Sequence, residues 1–312
     1  MNLQNPPKFK LLIDQAHEVA VNVLRPISRK YDKAEHAYPI ELDMLASVVD
    51  GMNHGSEGMN AGAAVNKRGD ADSSNKNGIN MSTALSIIEM CYGDTGLLLS
   101  MPRQGLGNSA IAAVANEEQL QRFHEIWAAM AITEPGCGSD SAAIRTTATK
   151  DGTDYILNGE KIFVTSGERA DAVVVWATLD KKLGRSAIKS FVVTKGTLGM
   201  KIERLEHKLG IKSSDTAAIS FINCRVPAKN LLGHAEVDVA KGFAGVMETF
   251  DNTRPLVAAM AIGCAKASLE RIKEIFEEKL DATYATPYLQ SSNIAAQIYR
   301  MEAEWEAARL LD

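Results

Sequence analysis

The residues best placed to do chemistry begin with Ala131-Ile132-Thr133-Glu134-Pro135-Gly136-Cys137-Gly138-Ser139-Asp140. An apolar stretch runs into a Pro-Gly-x-Gly-Ser turn, and turns of this composition leave backbone N–H groups and small hydroxyls facing outward. Such donors suit the polar edge of a bound heterocycle or a phosphate. Taken alone, the same turn serves equally as a tight strand exit. A second cluster follows at Asn158-Gly159-Glu160-Lys161-Ile162-Phe163-Val164-Thr165-Ser166-Gly167, and a third at Leu209-Gly210-Ile211-Lys212-Ser213-Ser214-Asp215-Thr216. Asp251 and Arg254 stand at i,i+3 spacing in a helical segment, which on its own also describes an ordinary surface ion pair. Gly105-Leu106-Gly107-Asn108-Ser109-Ala110 fits G-x-G-x-x-A, but a dinucleotide site needs a parallel strand before it. The residues before it are helical in pattern, so a turn leading into a helix is the better reading.

Other chemistries have little support. Cys91, Cys137, Cys224 and Cys264 form no C-x-x-C pair and read as reduced structural thiols. The six histidines show no H-E-x-x-H or related spacing, so no metal site is expected. A net charge of −5 argues against a nucleic-acid partner without excluding an anionic small ligand. Met1–Pro7 lacks a signal-peptide core, and the longest apolar run, Leu256–Ala265, is too short to span a bilayer. A soluble cytoplasmic protein with no integral membrane segment is expected.

The elements that must position these residues fall into three zones. Residues 1–125 read as a helical domain, with apolar spacing at Leu11, Leu12, Ala16, Val19, Val23 and Leu24, again over Ser82–Tyr92, and over Asn108–Phe123. A Gly/Asn/Ser-rich stretch from Met52 to Gly78 interrupts it as a long loop. Residues 126–235 change to strand alternation, with strands expected at Thr146–Lys150, Asp154–Leu157, Lys161–Thr165, Asp171–Thr178, Ile188–Thr194, Met200–Arg204 and Thr216–Phe221. Asp151-Gly152 and Asn158-Gly159 read as hairpin turns. The short links predict antiparallel connections. Residues 236–312 return to helix, with one stripe at Ala258, Ala261, Ile262, Ala265, Leu269, Ile272 and Phe276 and a second helix over Asn293–Asp312. Helices, then sheet, then helices predict an α+β protein: an N-terminal helical domain, a middle antiparallel β-domain and an incomplete C-terminal helical bundle. The last residues, Ala307 to Asp312, carry no helix stop signal, which reads as a truncated product or a chain whose remainder is missing.

In combination the motifs are specific. Thr133–Asp140 followed by Asn158–Gly167 resembles the acyl-CoA dehydrogenase family, whose middle domain carries T-E-P-G-x-G-S-D and then N-G-x-K-x-[WF]-[IV]-T-[NS]-G. Gly210–Thr216 resembles its G-x-[KR]-x-S-D-T segment, Phe221–Pro227 its F-x-x-V-x-V-P strand exit, and Asp251–Arg254 its D-x-x-R helix segment. The resemblance implies non-covalent FAD, an acyl-CoA substrate desaturated between Cα and Cβ, and electrons passed to an electron-transfer flavoprotein. It implies that Met130, Ala131, Ile132 and Thr133 line the flavin's pyrimidine edge, that Phe163 packs on the isoalloxazine, and that Thr165 hydrogen-bonds near N5. It implies that Ser139 contacts the CoA and that Asp251 and Arg254 belong to the substrate side. A homo-oligomer or heteromer is implied as well.

Two departures from the family pattern stand out. The base is a Glu in a Y-E-G-T-like segment, which this sequence lacks, or a Glu just before the Arg of D-x-x-R, where this sequence has Thr253. Glu134 matches a structural acid. The catalytic residue is therefore unassigned and expected outside this chain, and the 312 residues alone are expected to be inactive. The R-x-x-F-G-x-x-L segment that helps hold the FAD pyrophosphate is also missing; Leu280–Tyr288 occupies its place. A fragment of a full dehydrogenase is the leading reading. A base-less FAD- and acyl-CoA-binding subunit of a heteromer, and an acyl-CoA oxidase or flavin monooxygenase relative, are the alternatives.

Overall fold

The computed structural model describes residues 5–53, 79–103, 106–237, 244–280 and 293–311. The long Gly/Asn/Ser-rich loop beyond Asn53, the first glycine of G-x-G-x-x-A and the segment after Leu280 lie outside the described residues. Helices α1 (Lys10–Val19), α2 (Arg25–Lys33), α3 (Glu41–Asn53), α4 (Ile79–Gly93), α5 (Thr95–Leu99), α6 (Leu106–Val114) and α7 (Glu117–Phe123) precede seven strands. The strands are β1 (Ala128–Ala131), β2 (Thr147–Asp151), β3 (Asp154–Thr165), β4 (Ala172–Thr178), β5 (Ile188–Thr194), β6 (Met200–Leu205) and β7 (Thr216–Pro227). Helices α8 (Ala244–Leu280) and α9 (Asn293–Leu311) follow. The expected α+β class, with helices either side of a middle sheet, holds. Among the described residues no helix is long and apolar enough to cross a membrane.

The chain divides into two compact units, Met1–Arg29 with Lys76–Thr95 and Arg254–Asp312, and Lys30–Asn75 with Gly96–Thr253. In the first, α1 packs on α4. The α4 carboxylate of Glu89 is buried and sits 2.8 Å from Lys266 Nζ of α8 and 2.8 Å from His17 Nδ1 of α1. The stripe expected along α8 is buried only in part. Ile262, Leu269 and Phe276 are buried, the latter two against Ile298 with Trp305 beside them, whereas Ala258, Ala261, Ala265 and Ile272 are exposed. Helix α8 packs on α9 along this line, and Gly263 brings it against α4, where a β-carbon would lie 2.2 Å from the Ile88 carbonyl oxygen.

The second unit is built on the sheet, in the order β1-β4-β2-β3-β7-β6 with β5 on β4. Strand β4 (AVVVWAT) is buried along its whole length. Side chains alternate across a strand, so Val173, Val175 and Ala177 enter one core with Tyr155, Leu157, Phe191 and Phe221. Ala172, Val174 and Trp176 enter the other, which α6 and α7 cover with Ala110, Ile111 and Phe123. Gly107 permits that cover: a β-carbon there would lie 2.3 Å from the Ala129 carbonyl oxygen. The second glycine of the G-x-G-x-x-A motif thus lets α6 approach β1, as expected of a turn leading into a helix.

Two details depart from the sequence reading. Strands β1 and β4 pair in parallel, with Ala128 opposite Ala172 and Ala131 opposite Val175, so the sheet is mixed. The short-link argument constrains consecutive strands only, and the β2–β3 hairpin intervenes between β1 and β4. Asp151-Gly152 does turn the β2–β3 hairpin, but Asn158-Gly159 lies within β3. Gly159 there adopts φ +153°, and a β-carbon would come 2.4 Å from Thr146 Oγ1. Asn158 accepts a hydrogen bond at Oδ1 from the Asn223 amide at 2.8 Å, across an irregularity in the β3–β7 register.

Candidate active site

The Thr133–Asp140 turn leaves β1 and closes on itself. The Glu134 amide donates to the Cys137 carbonyl at 2.9 Å, and the Cys137 amide donates back at 3.1 Å. The amides of Gly136, Gly138 and Ser139 have no hydrogen-bond partner among the described residues, and Pro135, Gly136, Gly138, Ser139 and Asp140 are exposed. The turn thus keeps part of the outward N–H set that its composition predicts.

Beneath it lies an ion pair that the sequence reading left without a role. Lys161 Nζ is fully buried and sits 2.7 Å from Glu134 Oε1, and it donates to the Ile132 carbonyl at 3.1 Å. Glu134 also accepts from the Arg145 amide at 2.7 Å, the Thr146 amide at 3.0 Å and Thr146 Oγ1 at 2.6 Å. Burial works against the carboxylate's charge, but the Lys161 ammonium and these hydrogen bonds outweigh it and hold the Glu134 pKa below the usual carboxylate range. Burial in turn pulls the Lys161 pKa down, with Glu134 opposing. The acid is structural, as the motif suggests: its oxygens are fully engaged in holding the turn to β3. The signal for Lys161 was present as the Lys of N-G-x-K, but no pattern reveals that a lysine is buried.

Strand β3 carries the second cluster. Between Lys161 and Val164 its register against β7 shifts by a bulge, with Lys161 opposite Ile219 and Val164 opposite Ala217. The bulge puts Phe163 at φ +58° and throws its ring outward, 60% exposed. A positive φ in a bulky residue is a costly conformation that clusters at functional positions. Ser166 follows at φ +59°. The Ile162 amide donates to the Thr133 carbonyl at 2.9 Å, fastening the bulge to the start of the turn. Thr133 and Thr165 are half-buried, and neither hydroxyl has a hydrogen-bond partner among the described residues.

The other predicted residues are placed as follows. The Ala131 and Ile132 side chains are buried in the two cores and Met130 is packed against one of them, so Ala131 and Ile132 can offer a ligand only their main chain. Ser139 is exposed in the turn. Asp251 and Arg254 are exposed on α8, where the division between the two units falls between Thr253 and Arg254. Phe250, next to Asp251, packs on the core that holds Ile132 and Cys137. Thr253 donates its hydroxyl to the Thr249 carbonyl at 3.0 Å, a bond within its own helix. A pocket of about 520 Å³ lies elsewhere, lined by Val114–Glu118, Gly233 and His234.

An outward aromatic ring, two unpaired hydroxyls and a turn with open amides define a surface for a flat, partly apolar heterocycle with polar edges. Comparison with known proteins bears on the family and the fold. Residues 129–224 match the acyl-CoA dehydrogenase middle domain, and residues 240–311 match the acyl-CoA dehydrogenase C-terminal domain. A cyclohex-1-ene-1-carbonyl-CoA dehydrogenase of Syntrophus aciditrophicus is 31% identical over 97% of this chain and 70% of its own length. The butyryl-CoA dehydrogenase structure from Megasphaera elsdenii superposes with a TM-score of 0.79 at 28% identity, covering 100% of this chain and 79% of that one. A chain in a structure of the electron transferring flavoprotein of Acidaminococcus fermentans superposes with a TM-score of 0.78 at 29% identity, covering 100% and 78%. The fold is that of an FAD-dependent oxidoreductase. This chain belongs to the acyl-CoA dehydrogenase family.

Proposed function

We propose that this chain supplies the flavin and acyl-CoA surface for the α,β-dehydrogenation of a short or cyclic acyl-CoA thioester. The observation that carries the reading is the Phe163 bulge, which presents an exposed ring two residues before Thr165 and is fastened to the Thr133 carbonyl by the Ile162 amide. Bound FAD supplies the hydride acceptor. Phe163 covers one face of the ring and keeps water from it. The Thr165 hydroxyl fixes the ring near its hydride-accepting nitrogen, and the Thr133 hydroxyl with the main chain of Met130–Thr133 meets the pyrimidine edge. Ser139, Asp251 and Arg254 are assigned to the acyl-CoA. The names of the relatives support a short or cyclic acyl group, and the likeness to a chain of an electron transferring flavoprotein structure supports such a partner. A homo-oligomer or heteromer is the proposed assembly.

The proton-abstracting carboxylate is proposed to come from outside these residues. Glu134 has its oxygens occupied, and Thr253, at the helix position where the family pattern offers a Glu, cannot accept the proton. Removal of an α-proton needs a positioned group of suitable pKa within hydrogen-bond reach. The test is to reconstitute the chain with FAD and add butyryl-CoA anaerobically. A flavin spectrum that is perturbed by the ligand but not bleached supports the reading. Rapid bleaching would place a working base within the chain and overturn that part of it.

A further inference from the structure

Helix α2 ends at Lys33, and the chain turns sharply through His36, which adopts φ +70°. That turn sets Glu35 and His36 beside His207, which lies in the loop after β6. His207 Nδ1 is 3.0 Å from Glu35 Oε2, and the Lys208 amide donates to Glu35 Oε1 at 2.9 Å. The His36 and His207 rings are 5.2 Å apart, tilted by 55°. One ligating atom from each of Glu35, His36 and His207 lies within 4.8 Å of the other two. Both ring nitrogens of His36 are buried without a hydrogen-bond partner among the described residues. A buried polar atom left unpaired costs roughly 1–3 kcal/mol, and an imidazole always presents at least one nitrogen that seeks a partner.

We propose that Glu35, His36 and His207 form a binding site for a divalent transition-metal ion, with Zn²⁺ as the best-fitting occupant. Two imidazoles and one carboxylate suit zinc and its neighbours rather than Mg²⁺ or Ca²⁺, which prefer all-oxygen shells. Zinc bonds to nitrogen of about 2.0–2.1 Å put tetrahedral ligands roughly 3.4 Å apart, so atoms within 4.8 Å of one another must close by up to about 1.4 Å. The His207 side chain is 84% exposed and can swing to do so. Three protein ligands leave one coordination position for water. The ion gives half-buried His36 its missing partner and clips the segment after α2 to the loop after β6. Histidine spacing could not reveal the site, because Glu35 and His207 are 172 positions apart. Lys208 does not compete, since its ammonium donates to the Ser214 carbonyl and Thr216 Oγ1.

The test is calorimetric titration of the tag-free chain with ZnCl₂, paired with a thermal melt and with visible spectra of the Co²⁺ form. The expected result is one equivalent of Zn²⁺, a raised melting temperature, and Co²⁺ bands of tetrahedral intensity. Loss even of a group that orients a metal ligand weakens binding 10–100-fold, so His207→Ala and His36→Gln should each weaken it at least about tenfold. His124→Ala, an exposed histidine elsewhere, should leave all three readouts unchanged. Should His36→Gln fail to fold, His207→Ala and Glu35→Gln carry the test. A wild-type chain that takes up no stoichiometric zinc, or a His207→Ala variant that binds it as tightly as wild type, would overturn the assignment.

Discussion

Among single residues, the fold leaves some polar groups unsatisfied and satisfies others completely. The Thr165 hydroxyl is in the first class. One neutral hydrogen bond is worth about 0.5–1.5 kcal/mol, so Thr165→Val should weaken FAD binding roughly two- to tenfold in a fluorescence titration, without changing thermal stability. Glu134 is in the second. Glu134→Gln leaves the buried Lys161 ammonium without its counter-charge, which typically costs about 3–5 kcal/mol in denaturant unfolding at neutral pH. Its folded pKa lies below the ordinary value of 4.5. The wild-type advantage should therefore be full above pH 4.5 and shrink as pH falls through the folded pKa. An advantage that grew in acid would contradict the ion pair. Thr133, Phe163 and Thr165 were singled out in the sequence by their motif spacing, and titration with FAD tests them. Lys161 and Thr146 were not given roles, since burial and reach across strands leave no mark on a linear pattern.

At the scale of elements, β3 shows what the pattern resolves and what it does not. Its two halves were both visible as strands, but Asn158-Gly159 carries the strongest short-range hairpin signal and was read as a turn. The long pairing of β3 with β7, from Asp154 opposite Pro227 to Thr165 opposite Thr216, overrides that local preference. The glycine serves instead to admit Thr146, whose hydroxyl bonds Glu134. Gly159→Ala should accordingly cost about 1–3 kcal/mol by overpacking, measured as a shift in urea midpoint. It should also loosen the Thr133–Asp140 turn, visible as faster amide exchange at Glu134 and Cys137. An unshifted midpoint would mean that the close approach to Thr146 is relieved at no cost. The parallel β1–β4 pair was hidden for a related reason: it joins strands that are not consecutive in the chain, and link length says nothing about such partners.

For the molecule as a whole, the order of helices, sheet and helices was plain from the change of hydrophobic period. The division into two units was not, because each unit gathers segments distant in sequence. In the unit that holds both chain ends, Glu89 has Lys266 and His17 as neighbours although they are far apart along the chain. Lys266→Met should destabilise that unit by a few kcal/mol, since it strips a buried carboxylate of its main counter-charge. The remaining claim, that this fold exists here to hold a flavin, rests on the surface around Phe163. The most direct measurement is a titration of the chain with FAD, followed by flavin fluorescence, for wild type and Phe163→Ala side by side. The account predicts saturable binding to wild type and at least about tenfold weaker binding to the variant, the loss expected when an aromatic contact of about 1.5 kcal/mol or more is removed. Equal FAD affinity in the two proteins, or no binding to wild type, would contradict it.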